Sequence, residues 1–205
     1  MPVVVVANPK GGVGKSTLAT NIAGYYASKG RSVMLGDADR QQSSRLWLNL
    51  RPPAARPVSS WEVGEGHVAK PPKGTTHVVL DTPAGLHGKQ LRDLLHSANK
   101  VVVPLAPSVF DIFATRAFLD ELAEQRKASG LQVALVGIRV DGRTLAADQF
   151  QSFVKGLGLP LLGELRPTQN YVYLAARGLT LFDVAPGRVE RDLQQWAGLC
   201  RWLDS

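Results

Sequence analysis

Val3-Val4-Val5-Val6-Ala7-Asn8-Pro9-Lys10-Gly11-Gly12-Val13-Gly14-Lys15-Ser16-Thr17 decides how this chain is read. Four consecutive β-branched residues describe a strand buried on both faces, because a half-exposed strand would alternate apolar with polar side chains. The three glycines that follow let backbone N–H groups turn inward around an anion, and a helix opening near Lys15 adds the positive end of its dipole. That arrangement cradles the phosphates of a nucleoside triphosphate. In such a loop Lys15 reaches the β- and γ-phosphates and the Ser16 hydroxyl ligates Mg2+. Gly14-Lys15-Ser16 satisfies the end of the pattern, whereas Pro9 stands where its first glycine is expected and Lys10 adds a second cation. A short glycine loop cannot easily fold Lys10 back onto phosphates that Lys15 already balances, so Lys10 is placed to serve another molecule.

Read as K-G-G-x-G-K-[ST]-[ST], the stretch resembles the deviant Walker A loop of the ParA/MinD ATPases. The resemblance implies that Lys10, Gly11, Gly12, Val13, Gly14, Lys15, Ser16 and Thr17 bind ATP, and that Lys10 crosses an ATP sandwich homodimer to the partner's nucleotide. Two carboxylate segments extend it. Asp81 follows the apolar strand His77 to Leu80, precedes Thr82-Pro83, and takes the Walker B position, where it holds Mg2+ directly or through water. Asp37-Ala38-Asp39-Arg40-Gln41 resembles the family's D-x-D-P-Q switch, which assigns Asp39 to the lytic water and puts Asp37 near the metal's water shell. Lys10, Lys15 and Asp39 are thus the catalytic candidates, and Ser16, Asp37 and Asp81 the metal ones. Gly36 replaces a bulky strand residue and Arg40 replaces a proline, which predicts a more mobile switch.

At 205 residues and 44% hydrophobic content the chain can bury one substantial core, and a single ATPase domain over residues 1–205 is expected. No apolar run approaches the roughly 20 residues of a membrane span, and the start lacks a signal-peptide pattern, so a cytoplasmic protein is expected. Lone Cys200 and the scattered His67, His77, His87 and His96 exclude a disulfide framework and a cysteine-rich metal site. The formal charge of +7 sits in the first hundred residues, which hold 13 basic and 6 acidic side chains; residues 101–205 hold 11 of each. Arg40, Arg45, Arg51 and Arg56 form a loose basic stretch with no acidic residue among them, read equally as a solvated face or as a surface facing a polyanion.

Strands ending at Asp37 and Asp81, further buried runs at Lys100 to Pro104 and Gln132 to Ile138, and helical patterns between them predict an α/β fold: a mostly parallel twisted sheet with helices on both faces. Ligands gather beyond the carboxyl ends of such strands, where Lys15, Asp39 and Asp81 fall. Residues 51–76, rich in proline and glycine, read as an irregular surface connection.

Val103 to Ser108 and Tyr171 to Asp183 carry the family resemblance across nearly the whole chain, most like the compact ParF-type ParA partition proteins. It implies a nucleoid-associated ATPase that binds duplex DNA nonspecifically and answers to a ParB-like or other cargo adaptor. Adenine contacts then fall at Arg139 and Pro167, though a plain exposed arginine and a loop proline remain equally open. DNA contacts fall among Arg166, Arg177, Arg188, Arg191 and Arg201. Two alternatives stand beside this one: a MinD-like membrane regulator and a P-loop metabolic enzyme. The first needs a basic amphipathic terminal helix. Val189, Leu193, Trp196, Leu199 and Leu203 have the spacing, but Glu190, Asp192 and Asp204 offset the arginines, which favours packing against the sheet.

Overall fold

The valine strand becomes the centre of a parallel sheet. The computed structural model describes residues 1–64, 67–68 and 71–205. Its elements in chain order are β1 (Val3–Val6), α1 (Lys15–Ser28), β2 (Val33–Asp37), α2 (Ser43–Leu50), β3 (Ser59–Trp61), β4 (Val63–Gly64), β5 (His67–Val68), β6 (His77–Asp81), α3 (Gly88–Leu95), β7 (Lys100–Leu105), α4 (Val109–Ser129), β8 (Gln132–Ile138), α5 (Leu145–Lys155), β9 (Leu161–Leu165), α6 (Asn170–Ala175), a 3-10 turn (Leu181–Asp183) and α7 (Pro186–Asp204). Seven strands pair in the order β3-β2-β6-β1-β7-β8-β9, every pairing parallel. This is the α/β P-loop fold the sequence predicts.

Side-chain alternation along β1 feeds two cores. Val3 and Val5 join Leu91 of α3, Phe118 and Leu122 of α4 and Phe150 of α5 on one face. Val4 and Val6 join Leu18 and Ile22 of α1, Trp47 of α2 and Trp196 and Leu199 of α7 on the other. A strand covered by helices on both sides has no polar position to offer, which is why it reads as four valines. Register then sets the site. Val6 pairs with Asp81, and Asp81 with Asp37, so the start of the loop and the last residues of β6 and β2 lie at one level across three adjacent strands.

One reading of the sequence needs correction. Residues 51–76 are not an irregular connection throughout: Ser59–Trp61 adds a seventh strand beside β2, with Met34 opposite Ser59 and Gly36 opposite Trp61, and β4 pairs antiparallel with β5. Three residues with one buried side chain carry no periodicity of their own, and the β2 backbone supplies the pairing. Gly36 also has a packing reason. A Cβ there would lie 2.8 Å from both Trp61 Cε3 and Val63 Cγ2, so the bulk that a larger residue would supply comes from the neighbouring strand.

Helix α7 packs as expected. Val189, Trp196, Leu199 and Leu203 are buried, and a Cβ on Gly198 would collide with the Leu162 carbonyl, so helix and edge strand touch backbone to backbone. The far end of α1 is tied to α7, with the Tyr25 hydroxyl donating to Asp204 Oδ2 at 2.6 Å.

Candidate nucleotide site

The loop after β1 is braced from both sides. Asn8, buried where the strand ends, donates from Nδ2 to the Pro104 carbonyl of β7 at 2.7 Å, and its Oδ1 accepts the Lys10 amide at 2.8 Å. From the other side, the Gly85 amide donates to the Pro9 carbonyl at 2.8 Å. Gly12 and Gly14 take φ of 70° and 94°, a left-handed backbone that costs other residues about 1–2 kcal/mol. With Gly14 in that conformation, α1 begins at Lys15 without a side-chain cap, leaving its first N–H groups for an anion.

Lys15 is buried, and its ammonium donates to the Lys10 carbonyl at 2.7 Å, folding it into the loop it belongs to. Burial pushes its pKa down, while the nearby carboxylates of Asp81 and Asp39 pull it up. Lys15 thus lies within the electrostatic reach of both carboxylates. Asp81 is fully buried; its Oδ2 accepts the Ser44 hydroxyl at 2.7 Å, and its Oδ1 has no hydrogen-bond partner among the described residues. Burial raises its pKa to about 6, opposed by the Ser16 and Ser44 hydroxyls and the Lys15 charge and reinforced by Asp37. Leaving a buried carboxylate oxygen unanswered costs at least about 1–3 kcal/mol. An oxygen-lined site of Asp81 and the Ser16 hydroxyl is the donor set of a hard cation, so the residues fit Mg2+.

Asp37 organises the segment that follows β2. Its Oδ1 accepts the Asp39 amide at 3.0 Å, and its Oδ2 accepts the amides of Ser44 at 2.8 Å and Arg45 at 3.1 Å. It thereby caps α2 from seven residues away, a task the local residue Gln42, with φ of 51°, does not perform. Burial pushes the Asp37 pKa up, and these three amides hold it down. Asp39 is half-exposed, with Oδ1 accepting the Gln41 amide at 3.0 Å, and Arg40 is exposed. Sequence reasoning assigned nothing to Asn8 or Ser44. Asn8 carried a signal, a polar residue at the end of a fully apolar strand; Ser44 carried none, because its partner lies across the sheet.

Arg139 follows β8 with φ of 56°, unusual for a residue other than glycine, and its Nη2 donates to the Gly12 carbonyl at 3.2 Å. It reaches the loop from the side opposite the switch, while Pro167 follows β9 and is exposed. The five arginines behave differently from one another. Arg166 donates from Nε to fully buried Asp192 at 2.6 Å and fixes α7 to the end of β9. Arg177 stacks on Tyr173, its guanidinium 3.6 Å from the ring centre. Arg188, Arg191 and Arg201 are exposed along α7, Arg188 lying before the kink at Val189 and the other two after it.

A family model described as the CobQ/CobB/MinD/ParA nucleotide binding domain matches residues 4–181. The chain belongs to this family. CobQ/CobB/MinD/ParA relatives include the maintenance of carboxysome distribution protein A of Halothiobacillus neapolitanus, 28% identical over 92% of this chain and 91% of that protein. The chromosome-partitioning ATPase Soj of Thermus thermophilus is 30% identical over 73% of this chain and 74% of its own length. In fold, the chain superposes on the septum site-determining protein MinD of Pyrococcus horikoshii, solved with Mg-ADP, with a TM-score of 0.73 and 16% identity, covering 100% of this chain and 96% of that one.

Proposed function

We propose that this CobQ/CobB/MinD/ParA chain is a Mg2+-dependent ATPase that dimerises on ATP, holds nonspecifically to duplex DNA in the cytoplasm and positions a cargo through a ParB-like or other adaptor. The observation that carries the proposal is a braced glycine loop with Lys15 folded into it, set level with Asp81, whose buried Oδ1 meets no partner among the described residues, and with Asp37 on the next strand. Lys10 through Thr17 hold the triphosphate, with Lys15 on the β- and γ-phosphates. Asp81 and Ser16 hold Mg2+, with Asp37 at its water shell, and the ion when bound neutralises phosphate charge. Asp39 orients the attacking water. Arg139 and Pro167 flank the base.

The names borne by relatives, carboxysome distribution and chromosome partitioning, support a positioning role, and the burial of the apolar face of α7 favours DNA over a bilayer as the surface. Lys10 carries the dimer. Its carbonyl is occupied by Lys15, and its half-exposed side chain belongs to the outer part of the loop. Lys15→Ala is expected to lose ATP binding by titration, while Lys10→Ala keeps monomer binding but loses ATP-dependent dimerisation and hydrolysis. Equal loss of affinity in both variants would rule out the role of Lys10 in trans.

A further inference from the structure

Helix α2 is anchored to the nucleotide site at one end and shows apolar side chains to solvent along its length. Asp37 caps its first turn, Ser44 reaches Asp81, and on its inner face Trp47 Nε1 donates to the Leu179 carbonyl at 3.3 Å. On the outer face Leu46 and Leu50, one helical turn apart, are 60% and 55% exposed, and α6 adds Val172 and Tyr173 at 65% and 60%. Isolated exposed leucines are ordinary, but two set one turn apart, with two more exposed apolar side chains on α6, are not. The end of α2 meets the turn after α6 through backbone: a Cβ on Gly178 would collide with Leu50 and Arg51, and Arg51 Nη1 donates to the Gly178 carbonyl at 3.0 Å.

The two segments that carry this surface supply basic side chains and no acidic ones, with Glu62 entering only beside Arg45 at the start of α2. No acidic residue occurs in 40–57 or in 165–182. The flanking acids Asp183 and Asp192 are occupied by Arg51 and Arg166 at 2.8 and 2.6 Å. Arg40, Arg45, Arg56 and Arg177 remain exposed, and Arg177 is held flat on Tyr173.

We propose that the α2–α6 surface docks an acidic, apolar polypeptide segment and relays its arrival to the nucleotide site through Ser44 and Asp37. Charge complementarity selects the acidic partner, and the leucine ridge with a rigid Tyr–Arg pair selects a polypeptide, since aromatic and arginine anchors dominate the centres of protein interfaces. Duplex DNA would satisfy the rim but leave four apolar side chains without partners. A bilayer would find two leucines on a two-turn helix, a small area for stable insertion. The relay rests on the ATPase reading; the docking does not.

The test uses the whole protein and a labelled amphipathic peptide with leucine on one face and glutamate on the other, beside a twin carrying lysine for glutamate. Fluorescence anisotropy should show the acidic peptide binding with an affinity that falls with salt, and the basic twin not binding. The double variant L46A/L50A and the single variant Arg177→Glu should each weaken the acidic peptide about tenfold. Unchanged thermal midpoints show that both variants remain folded. Equal binding of the two peptides, or parental affinity in L46A/L50A, overturns the docking. So does binding of duplex DNA or of phosphatidylglycerol vesicles that depends on Leu46 and Leu50 when the peptide does not bind. In the parent, bound peptide should change ATP turnover at least about twofold, and turnover indifferent to bound peptide overturns the relay. Peptide binding by a protein without any ATP turnover instead sinks the ATPase reading and leaves the docking standing.

Discussion

Around Asp37 and Asp81 the carboxylate oxygens are met by amides and hydroxyls from neighbouring elements, with Asp81 Oδ1 as the exception. Arg177, Arg188, Arg191 and Arg201 instead reach solvent from the turn after α6 and from α7. A buried charge must be answered within the fold, so its position is fixed and its loss is costly. An exposed charge contributes little to the fold, and towards a polyanion it acts mainly in number. Arg166 and Arg177, eleven positions apart in sequence, fall on opposite sides of that divide, because one meets Asp192 and the other an aromatic ring.

The divide can be broken most directly at Asp192. Replacing it by Ala removes the partner of both Arg166 and Asn170, each held at 2.6 Å, and should cost about 3 kcal/mol in urea unfolding. A loss below about 1 kcal/mol would place Arg166 among the exposed arginines after all. Asp39→Ala comes next. It should bind ATP with parental affinity yet turn over roughly a hundredfold more slowly, because a group that orients the attacking water acts at the transition state. Light scattering should then find an accumulating ATP dimer, and parental turnover would mean that Arg40 and Gly36 have altered the switch.

Gly36→Ala probes a buried position with no charge at all. Its new methyl would press on Trp61 and Val63, and a loss of about 2 kcal/mol is expected by thermal melting, with ATP affinity retained. The smallest effects belong to the surface. Charge reversal at Arg177, Arg188 or Arg191 should weaken duplex DNA only several-fold, alike for all sequences, and lower the log–log salt slope by about 0.9 for each phosphate no longer neutralised. Dimerisation joins two such surfaces, so the ATP-bound protein should bind DNA where the ADP-bound protein does not. Binding to anionic vesicles but not to DNA would move the exposed arginines from a nucleoid role to a membrane one.

Sequence disclosed the central strands because burial on both faces leaves a continuous apolar run, and it disclosed the loop because Gly12 and Gly14 stand where the backbone turns left-handed. Asp37, Asp39 and Asp81 were legible as acids at strand ends. What each carboxylate does was less so: Asp37 caps a helix whose own N-cap position, Gln42, is silent, and Ser44 matters only because β2 and β6 are neighbours. The edge strand β3 was illegible for the same reason, since its pairing is written in the partner's backbone. The arginines showed the converse limit. Their spacing gave their number but not which were already bound.

Trp61 lies against Gly36, one residue before Asp37, and is almost fully buried. An indole so placed is an intrinsic optical probe. Its emission wavelength depends on the polarity and order of the segment it touches, so rearrangement of the Asp37–Asp39 stretch would be read out as a colour change without any attached dye. Of the other three tryptophans, Trp47 sits on α2 and Trp196 and Trp202 on α7, and replacing Trp61 by Phe would separate its signal from theirs. The glycine that makes room for the ring thus places a reporter beside the switch.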